Sequence, residues 1–596
     1  MGVGIPACSD MLDTDSDRYL KTGNNTLDSA NDSLYSVLGI LKQMQKLGEN
    51  YVLIGELRGD LMDITENSDE NLQELSNFNV RIGNPYASTK EYYQVINNCN
   101  YYIAHADTSI VAAGSKVLLQ EFAVVKTLRA WTYLQLALNF DEVIYLTQPI
   151  LTLEDMNKDY SATTYNMKQD GQMEALAYVL YQDLLPYINT PTPNYGKLGD
   201  VESTSMFIPT AELMAELALW GGSYELAAYI YYQFLYYGNS SYGYRSGGSF
   251  YNGWMNNTFD SGSFSWSSVF SREPLVSEVN TVMFYSSKDG DELKLVNYAL
   301  PVLQKDLPFV YKIKPSQASM DLFETERFTY YDTQRKEIAY TWGDLRGKSV
   351  NFNRYMTFPT ATGSYQYGFT VSADSVPYIT KYNGCLSQTD FYLQTTLPIF
   401  RTQIAELRYA EALNWAGYPS IAFAILKYGL NLETLRDTTK VSAGEVGGWI
   451  TEDGDYRISP PFFADWTDLR FSEGQPRKNI GVHYRGSGDS WADPVYFAFT
   501  QETLDENKHY PGFPNKPMDQ FSKMDSVLFV DVMICKELAL ESAYEGNRFS
   551  DLMRFSDRRR HITGDDTFLP EWVGRRNPAL KATLKDRNNW FLPASK

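Results

Sequence analysis

Residues 536–554 read Lys536-Glu537-Leu538-Ala539-Leu540-Glu541-Ser542-Ala543-Tyr544-Glu545-Gly546-Asn547-Arg548-Phe549-Ser550-Asp551-Leu552-Met553-Arg554. Apolar residues continue upstream, from Val527 through Ile534. The pattern predicts a helix from about Met524 to Glu545. Gly546 is the expected stop, because glycine adopts the left-handed conformation that closes a helix without steric cost.

Charged side chains lie on both sides of this predicted stop. Arg548, Asp551 and Arg554 recur at three-residue spacing and therefore share one helix face. Glu541 and Glu545 lie one turn apart and would repel each other unless a cation lay between them, and Arg548 is the expected cation. We interpret Glu541, Glu545, Arg548 and Asp551 as a buried ionic clasp between two helices, with a ligand site as the alternative.

This stretch resembles the C-terminal signature of the SusD/RagB family, whose members are surface glycan-binding lipoproteins that work with an outer-membrane transporter. The residues that carry the resemblance are Glu537, Glu541, Tyr544, Glu545, Gly546, Arg548, Phe549, Asp551, Leu552 and Arg554. Residues 128–136, Leu-Arg-Ala-Trp-Thr-Tyr-Leu-Gln-Leu, are similar to a second helix motif of the family. The glycine and proline that usually follow that motif are absent from residues 140–144, which leaves the turn after the helix undefined.

The composition excludes one class of partner and favours another. The 596 residues include 52 Lys and Arg against 73 Asp and Glu, a net charge of −21, which repels nucleic acid. Aromatic residues make up 15% of the chain, with 45 tyrosines. Tyrosine in excess suits surfaces that are flat and also form hydrogen bonds.

The cysteines indicate an anchor rather than a disulfide framework. Cys99 and Cys535 lie in helical patterns and are expected to be buried free thiols. Cys8 follows a short apolar segment that ends at Ala7, the small residue that a lipidation site requires. Acidic residues behind it, from Asp10 on, accompany surface export in the resembled family. We therefore predict that Cys8 is lipidated, with an unstructured acidic N-terminus as the alternative.

Helical periodicity defines most of the remaining chain and predicts a mostly α fold, in which stacked hairpins resembling tetratricopeptide repeats carry an inserted loop-rich lobe with short strands. Alanine-aromatic patterns typical of such hairpins occur at 209–237 and 400–432. No apolar run is long enough to span a membrane. The predicted organisation is a signal remnant at 1–8, an acidic tether at 9–32, a helical scaffold at 33–240, 398–432 and 522–560, an inserted lobe at 241–397 and 433–521, and a tail at 561–596.

The inserted segments contain aromatic residues among glycine, serine and asparagine, where rings could form a platform for sugar rings. A pyranose presents an apolar C–H face that matches an aromatic ring, and a rim of hydroxyls that polar side chains bind. Most loop aromatics are expected only to cover the core. The predicted ligand-binding residues are Tyr251, Trp254, Trp266 and Trp342, with Arg58, Asp60 and Tyr86 as a facing wall.

Catalytic motifs are weak in this sequence. A glycosidase needs a pair of carboxylates close together. Among 73 acidic residues some pairs will be close by chance, and no sequence pattern singles out one of them as catalytic. The four histidines form no metal motif, and no cofactor is expected. Gly343 to Ser349 is one residue short of a phosphate-binding loop, so Asp344 and Arg346 are interpreted as a salt-bridged turn.

The resemblance implies a non-catalytic lipoprotein on the outer face of the outer membrane. It would capture an oligosaccharide or polysaccharide and deliver it to a SusC-like TonB-dependent transporter. Two alternatives remain open at this point. One is a surface glycosidase, and the other is a non-glycan lid subunit of a nutrient transporter, for example for peptides.

Overall fold

The computed structural model describes residues 30–109, 111, 117–198, 201–237, 279–286, 293–300, 310–332, 334–344, 346–347, 355–359, 365–370, 376–379, 381–382, 394–430, 432–446 and 481–594. Cys8 and residues 9–29 of the predicted acidic tether lie outside the described residues, so lipidation stays a prediction, whereas residues 30–32 of the predicted tether begin the first helix. No helix of the described part is long and apolar enough to cross a membrane.

Helices dominate the described chain, as predicted. They are α1 (Ala30–Gln45), α2 (Gly48–Leu57), α3 (Glu70–Ser76), α4 (Lys90–His105), α5 (Val117–Asn139), α6 (Leu153–Met156), α7 (Gln172–Leu184), α8 (Thr210–Trp220), α9 (Tyr224–Tyr237), α10 (Leu295–Ala299), α11 (Gln317–Glu324), α12 (Thr402–Trp415), α13 (Pro419–Lys427), α14 (Leu432–Arg436), α15 (Ala443–Val446), α16 (Tyr484–Ser487), α17 (Gln501–Asn507), α18 (Lys523–Ser542), α19 (Arg548–Thr563), α20 (Phe568–Gly574) and α21 (Leu580–Leu584).

Successive helices pack as hairpins that stack on one another. Helix α4 packs on α5, α8 on α9, and α12 on α13, while α9 packs on α12 and so joins two hairpins. The α8–α9 and α12–α13 loops are short, and the α8–α9 turn uses Gly222 at φ +70°. Small alanines such as Ala227 and Ala412 are fully buried where the helices approach closely. The predicted tetratricopeptide-like scaffold is confirmed.

Short strands form two-stranded antiparallel sheets. They are β1 (Met62–Ile64), β2 (Glu142–Ile144), β3 (Thr164–Asn166), β4 (Lys197–Leu198), β5 (Val201–Glu202), β6 (Val279–Ser286), β7 (Ile313–Pro315), β8 (Arg327–Asp332), β9 (Glu337–Trp342), β10 (Tyr355–Pro359), β11 (Tyr365–Thr370) and β12 (Gln394–Arg401). The pairs are β1–β7, β2–β3, β4–β5, β6–β12, β8–β9 and β10–β11. The predicted division into scaffold and inserted lobe stays a prediction.

Helix α18 lies in the interior and corresponds to the helix predicted from Met524 to Glu545. It begins after Ser522, whose hydroxyl accepts the N–H of Asp525 at 3.3 Å while the Asp525 carboxylate accepts the Ser522 N–H at 2.8 Å. This capping box fixes the start of the helix. The chain turns after Ser542, where Tyr544 and Gly546 have φ values of +67° and +92°.

The turn at Gly546 packs directly against α2. A Cβ added to Gly55 would lie 1.9 Å from the carbonyl oxygen of Gly546, so the two backbones are in contact. The buried carboxylate of Glu56 accepts the N–H groups of Tyr544 and Gly546 at 3.1 and 2.8 Å. Helix α2 therefore holds the signature turn through its backbone and through one carboxylate.

Candidate functional site

The acids of α18 and of the turn that follows it form an ionic network that is buried away from solvent. Arg401 lies between Glu541 and Glu545, with its Nη1 2.9 Å from Glu541 and its Nε 2.7 Å from Glu545. Further cations that pair with Glu537, Glu541 or Glu545 include Arg346, Arg485 and Lys381. The side chains of Glu541, Glu545 and Arg401 are at most 1% exposed. A ligand at the surface cannot reach them, so they stabilise the interior.

The prediction that Arg548 bridges the two glutamates is wrong. The turn at Gly546 points Arg548 toward the segment that follows α2, where its Nε and Nη2 bind the Asp60 carboxylate at 2.5 and 3.1 Å. Arg401 comes from the end of a distant strand, so no local spacing indicated it. Asp551 is buried and accepts from Arg554 at 2.8 Å, which agrees with a structural role for the predicted clasp.

The predicted facing wall of Arg58, Asp60 and Tyr86 is also wrong. The three side chains belong to residues that are 1%, 0% and 8% exposed. Arg58 donates to the carbonyl oxygen of Trp590 at 2.7 Å and lies over the Phe549 ring at 4.2 Å. These residues hold helix ends and the C-terminal segment together instead of facing a ligand.

Exposed aromatic rings occur on the β8–β9 hairpin. Residues two apart on a strand share one face, and Ile338, Tyr340 and Trp342 of β9 are 41%, 49% and 58% exposed. Tyr331, opposite Ile338, is 54% exposed. The ring centroids of Tyr340 and Trp342 lie 5.6 Å apart at an interplanar angle of 82°. The hairpin therefore exposes to solvent two rings whose planes are nearly perpendicular to each other.

Arg327 holds this aromatic face in place from the neighbouring strand. Its guanidinium carbon lies 4.7 Å from the ring centroid of Tyr340 and 5.9 Å from that of Trp342. The same guanidinium forms an ion pair with Glu506. Because one cation contacts both rings and one acid, the rings are held at a defined orientation before any ligand binds.

Trp342 stands at the edge of a cavity of about 440 Å³. That volume lies within the range of about 300–1,000 Å³ that small-molecule sites occupy. The residues that line it are Glu324, Thr325, Glu326, Arg327, Trp342, Tyr496, Glu506, Asn507, His509, Tyr510 and Lys536. The cavity thus combines one exposed indole with several carboxylate, amide, hydroxyl and imidazole groups.

Buried charges form the inner part of the cavity. Lys536 forms an ion pair with Glu326 and donates to Asn507 Oδ1 at 2.7 Å, while the Tyr496 hydroxyl donates to Glu326 at 2.5 Å. Burial raises the pKa of Glu326, but the charge of Lys536 and the hydrogen bond from Tyr496 help to outweigh burial and bring that pKa below its ordinary value. Glu326 is therefore an anionic hydrogen-bond acceptor at neutral pH and not a proton donor.

His509 contributes a neutral imidazole. Burial and the nearby charge of Lys536 lower the pKa of His509 below its ordinary value. Its Nδ1 lies 3.0 Å from the carbonyl oxygen of Glu506, which fixes the proton on Nδ1 and leaves Nε2 as an acceptor. The cavity thus offers an imidazole lone pair to a hydroxyl donor.

The sequence predicted one member of this site and missed the others. Trp342 was predicted, whereas Tyr251, Trp254 and Trp266 lie outside the described residues. Lys536 was missed because its helix was interpreted as purely structural. The other polar residues that line the cavity were missed because they come from distant segments of the chain, between Glu324 and Lys536. His509 gave a weak signal as one of four histidines outside any metal motif.

The described residues contain no group of three or more His, Cys, Asp or Glu that could hold a metal ion. The predicted salt-bridged turn is confirmed, because Arg346 binds Asp344 at 2.9 Å in the interior. The predicted free thiols Cys99 and Cys535 are buried as expected. None of these groups reaches the cavity beside Trp342.

Comparison with known proteins identifies the fold. No family model matches the sequence, and no curated protein matches it. The structure is similar to NanU of B. fragilis, with a TM-score of 0.52, 15% identity and coverage of 93% of this chain and 92% of that chain. A SusD-like protein from Bacteroides fragilis NCTC 9343 matches with a TM-score of 0.51, 13% identity and coverage of 90% and 88%.

A SusD superfamily protein from Bacteroides thetaiotaomicron VPI-5482 matches with a TM-score of 0.50, 14% identity and coverage of 95% of both chains. The match extends over nearly the whole chain in each case. The resemblance that the signature stretch indicated is therefore confirmed at the level of the fold, and the chain has the SusD-like fold.

Proposed function

We propose that this chain, which has the SusD-like fold, is a cell-surface glycan-binding lipoprotein. It captures an oligosaccharide or polysaccharide and delivers it to a SusC-like TonB-dependent transporter, without cleaving it. The observation that carries the proposal is the exposed Tyr340–Trp342 pair at the edge of a 440 Å³ cavity lined with hydrogen-bonding groups.

The chemistry of the site matches a sugar ring. The apolar C–H face of a pyranose packs on the indole of Trp342, which is 58% exposed and available for contact. Hydroxyls at the rim of the ring then reach acceptors such as Glu506 and His509 in the same cavity. Binding of this kind needs no acid–base pair, which accords with the depressed pKa of Glu326.

Location and partner rest on the sequence and on the fold. Cys8 and the acidic residues that follow it resemble a lipoprotein anchor, which would hold the protein at the outer membrane with its cavity outside the cell. The SusD-like fold supports a transporter of the SusC type as the partner. Both parts of the proposal need their own tests, by lipid labelling and by co-purification.

The test of binding is calorimetry with the protein from Ser9 onward, against a panel of neutral and acidic polysaccharides and their oligosaccharides. Trp342→Ala should weaken binding about 10- to 30-fold, which corresponds to ~1.4–2 kcal/mol of lost contact. Tyr178→Ala is the matched control, because Tyr178 is 63% exposed on α7 and does not line the cavity.

Each outcome bears on one of the three functions. Binding that Trp342→Ala leaves intact would move the glycan site elsewhere. New reducing ends in the same samples would support the glycosidase, and Glu→Gln changes at a carboxylate pair should then abolish them. Binding to no member of the panel would support the lid subunit, whose function should survive Trp254→Ala and Trp342→Ala.

A further inference from the structure

We infer that the cavity beside Trp342 selects glycans without acidic groups and that Glu324 is the residue that rejects uronate and sulfated sugars. The inference rests on the proposed function, because it concerns which sugars the same cavity accepts. Two observations support it. Each basic residue that lines the cavity forms an ion pair with an acid, and Glu324, which also lines the cavity, forms no ion pair with a described residue.

Both basic residues that line the cavity are already committed to acids. Arg327 pairs with Glu506, and Lys536 pairs with Glu326. An acidic sugar that approaches either cation also approaches the carboxylate already paired with it, so repulsion between the two anions offsets the attraction to the cation. Within the described part of its wall, the cavity therefore offers an incoming anion no cation without an acidic partner.

Glu324 adds a negative charge that the described residues do not neutralise. It lines the cavity, is exposed, and forms no ion pair with any residue that the structure describes. It is also the last residue of α11, and the carbonyl oxygen of Phe323 in that last turn accepts the N–H of Asp344 at 2.8 Å. The negative charge at this place is therefore that of the Glu324 carboxylate, which repels an anion.

The remaining titratable group does not compensate. His509 is neutral at pH 7 because its pKa is lowered by burial and by Lys536, so it adds no third cation. Its Nε2 accepts a hydrogen bond, which suits a hydroxyl group. With three acids against two bases, the lining is net negative, and the net charge of −21 on the whole chain has the same sign.

The expected order of affinity follows from these charges. Neutral hexose oligomers should bind, and the same oligomers carrying carboxylates at C6 should bind about three- to tenfold more weakly. A factor of that size corresponds to two carboxylates about 6 Å apart in well-hydrated surroundings. Oligomers that carry free amino groups should bind at least as well as the neutral ones.

The experiment compares neutral hexasaccharides of glucose, mannose, galactose and xylose units with matched acidic probes. The neutral hexose probe that binds most tightly is paired with its C6-oxidised form, and galacturonate and sulfated galactose hexamers complete the panel. Glu324→Gln should raise the affinity for the oxidised form about three- to tenfold and leave the neutral affinity within twofold. Glu337→Gln is the control, because Glu337 is exposed on the β8–β9 hairpin that carries Trp342 but does not line the cavity.

The outcomes separate this inference from the function on which it rests. Tighter binding of an acidic probe than of its neutral counterpart would overturn the selectivity and leave glycan capture intact. An unchanged ratio in Glu324→Gln would overturn the role of Glu324. Binding of no probe at all would overturn glycan capture itself. The penalty on acidic probes should also shrink at high salt, since exposed charges are screened.

Discussion

Glu541 is the most heavily paired acid of α18, and its replacement by glutamine tests the structural role of the network. Its carboxylate lies 2.9 Å from Arg401, 3.1 Å from Arg346 and 3.3 Å from Arg485, and all four side chains are fully buried. Burial raises the pKa of Glu541, but the three guanidinium groups outweigh burial and keep that pKa well below its ordinary value. The native protein therefore depends on the charged form.

Glutamine keeps the shape and removes the charge. One of its two polar atoms becomes an N–H donor that faces guanidinium donors, and Arg485 loses its ion pair with residue 541. Breaking a buried ion pair by removing one partner costs about 3–5 kcal/mol, because the remaining charge stays desolvated. Arg401 and Arg346 keep Glu545 and Glu537 as partners, so we expect a loss of about 3–4 kcal/mol in the free energy of unfolding.

The assay is urea unfolding followed by tryptophan fluorescence and by far-ultraviolet circular dichroism. Glu571→Gln is the matched control, because Glu571 pairs with Lys581 and both side chains are about 40% exposed. Exposed pairs contribute about 0–1 kcal/mol, so the control should unfold almost as the parent does. A loss below ~1 kcal/mol for Glu541→Gln would refute the idea that the network stabilises the interior.

Two further predictions concern the same interior. Gly546→Ala should lower the free energy of unfolding in urea by about 2–4 kcal/mol, because φ is +92° and an added Cβ would lie 2.7 Å from the Tyr51 ring. The control is Gly564→Ala, which should cost only about 1–2 kcal/mol, because Gly564 has φ +75° but open space around the added Cβ. Equal losses in the two variants would contradict the packing argument. Burial raises the pKa values of Glu411 and Glu537, but neighbouring cations lower both to about 2. Since the unfolded value is about 4.3, this stabilisation is present above pH 4.3 and should disappear as the pH falls toward 2, and unfolding at pH 6 to 2.5 that shows constant stability would contradict it.

The helical scaffold was predictable because its signals are local. Apolar spacing located α18 and the hairpins within a few residues, and a glycine marked the turn after α18. These features depend on neighbours within one or two helical turns, which the sequence displays directly. Trp131, which lies within the helix motif at residues 128–136, is 1% exposed and belongs to the core.

The ion pairs and the cavity depend on contacts between distant segments, and the sequence does not display those. Spacing predicted that Glu541 and Glu545 need a cation but not that Arg401 supplies it from 140 positions away. Asp60 and Arg58 are polar residue types that could bind a ligand, yet both are buried. Asp60 pairs with Arg548, and Arg58 donates to the carbonyl oxygen of Trp590. Charge type alone does not distinguish the two roles, since burial decides between them.

Lys536 lies where the buried ionic network and the cavity meet. It belongs to the buried helix α18, next to Glu537 of the ionic network, and its ammonium group also forms the inner wall of the cavity beside Trp342. The rings of Tyr340 and Trp342 are exposed and contribute little to the core, so substitutions there should change binding without loss of stability. The polar residues Lys536 and Glu326 are instead held in position by buried contacts. If the proposed glycan binding holds, we expect the specificity for hydroxyls to depend on residues that the fold itself holds in place, and the affinity to depend on rings on a hairpin that the fold leaves exposed.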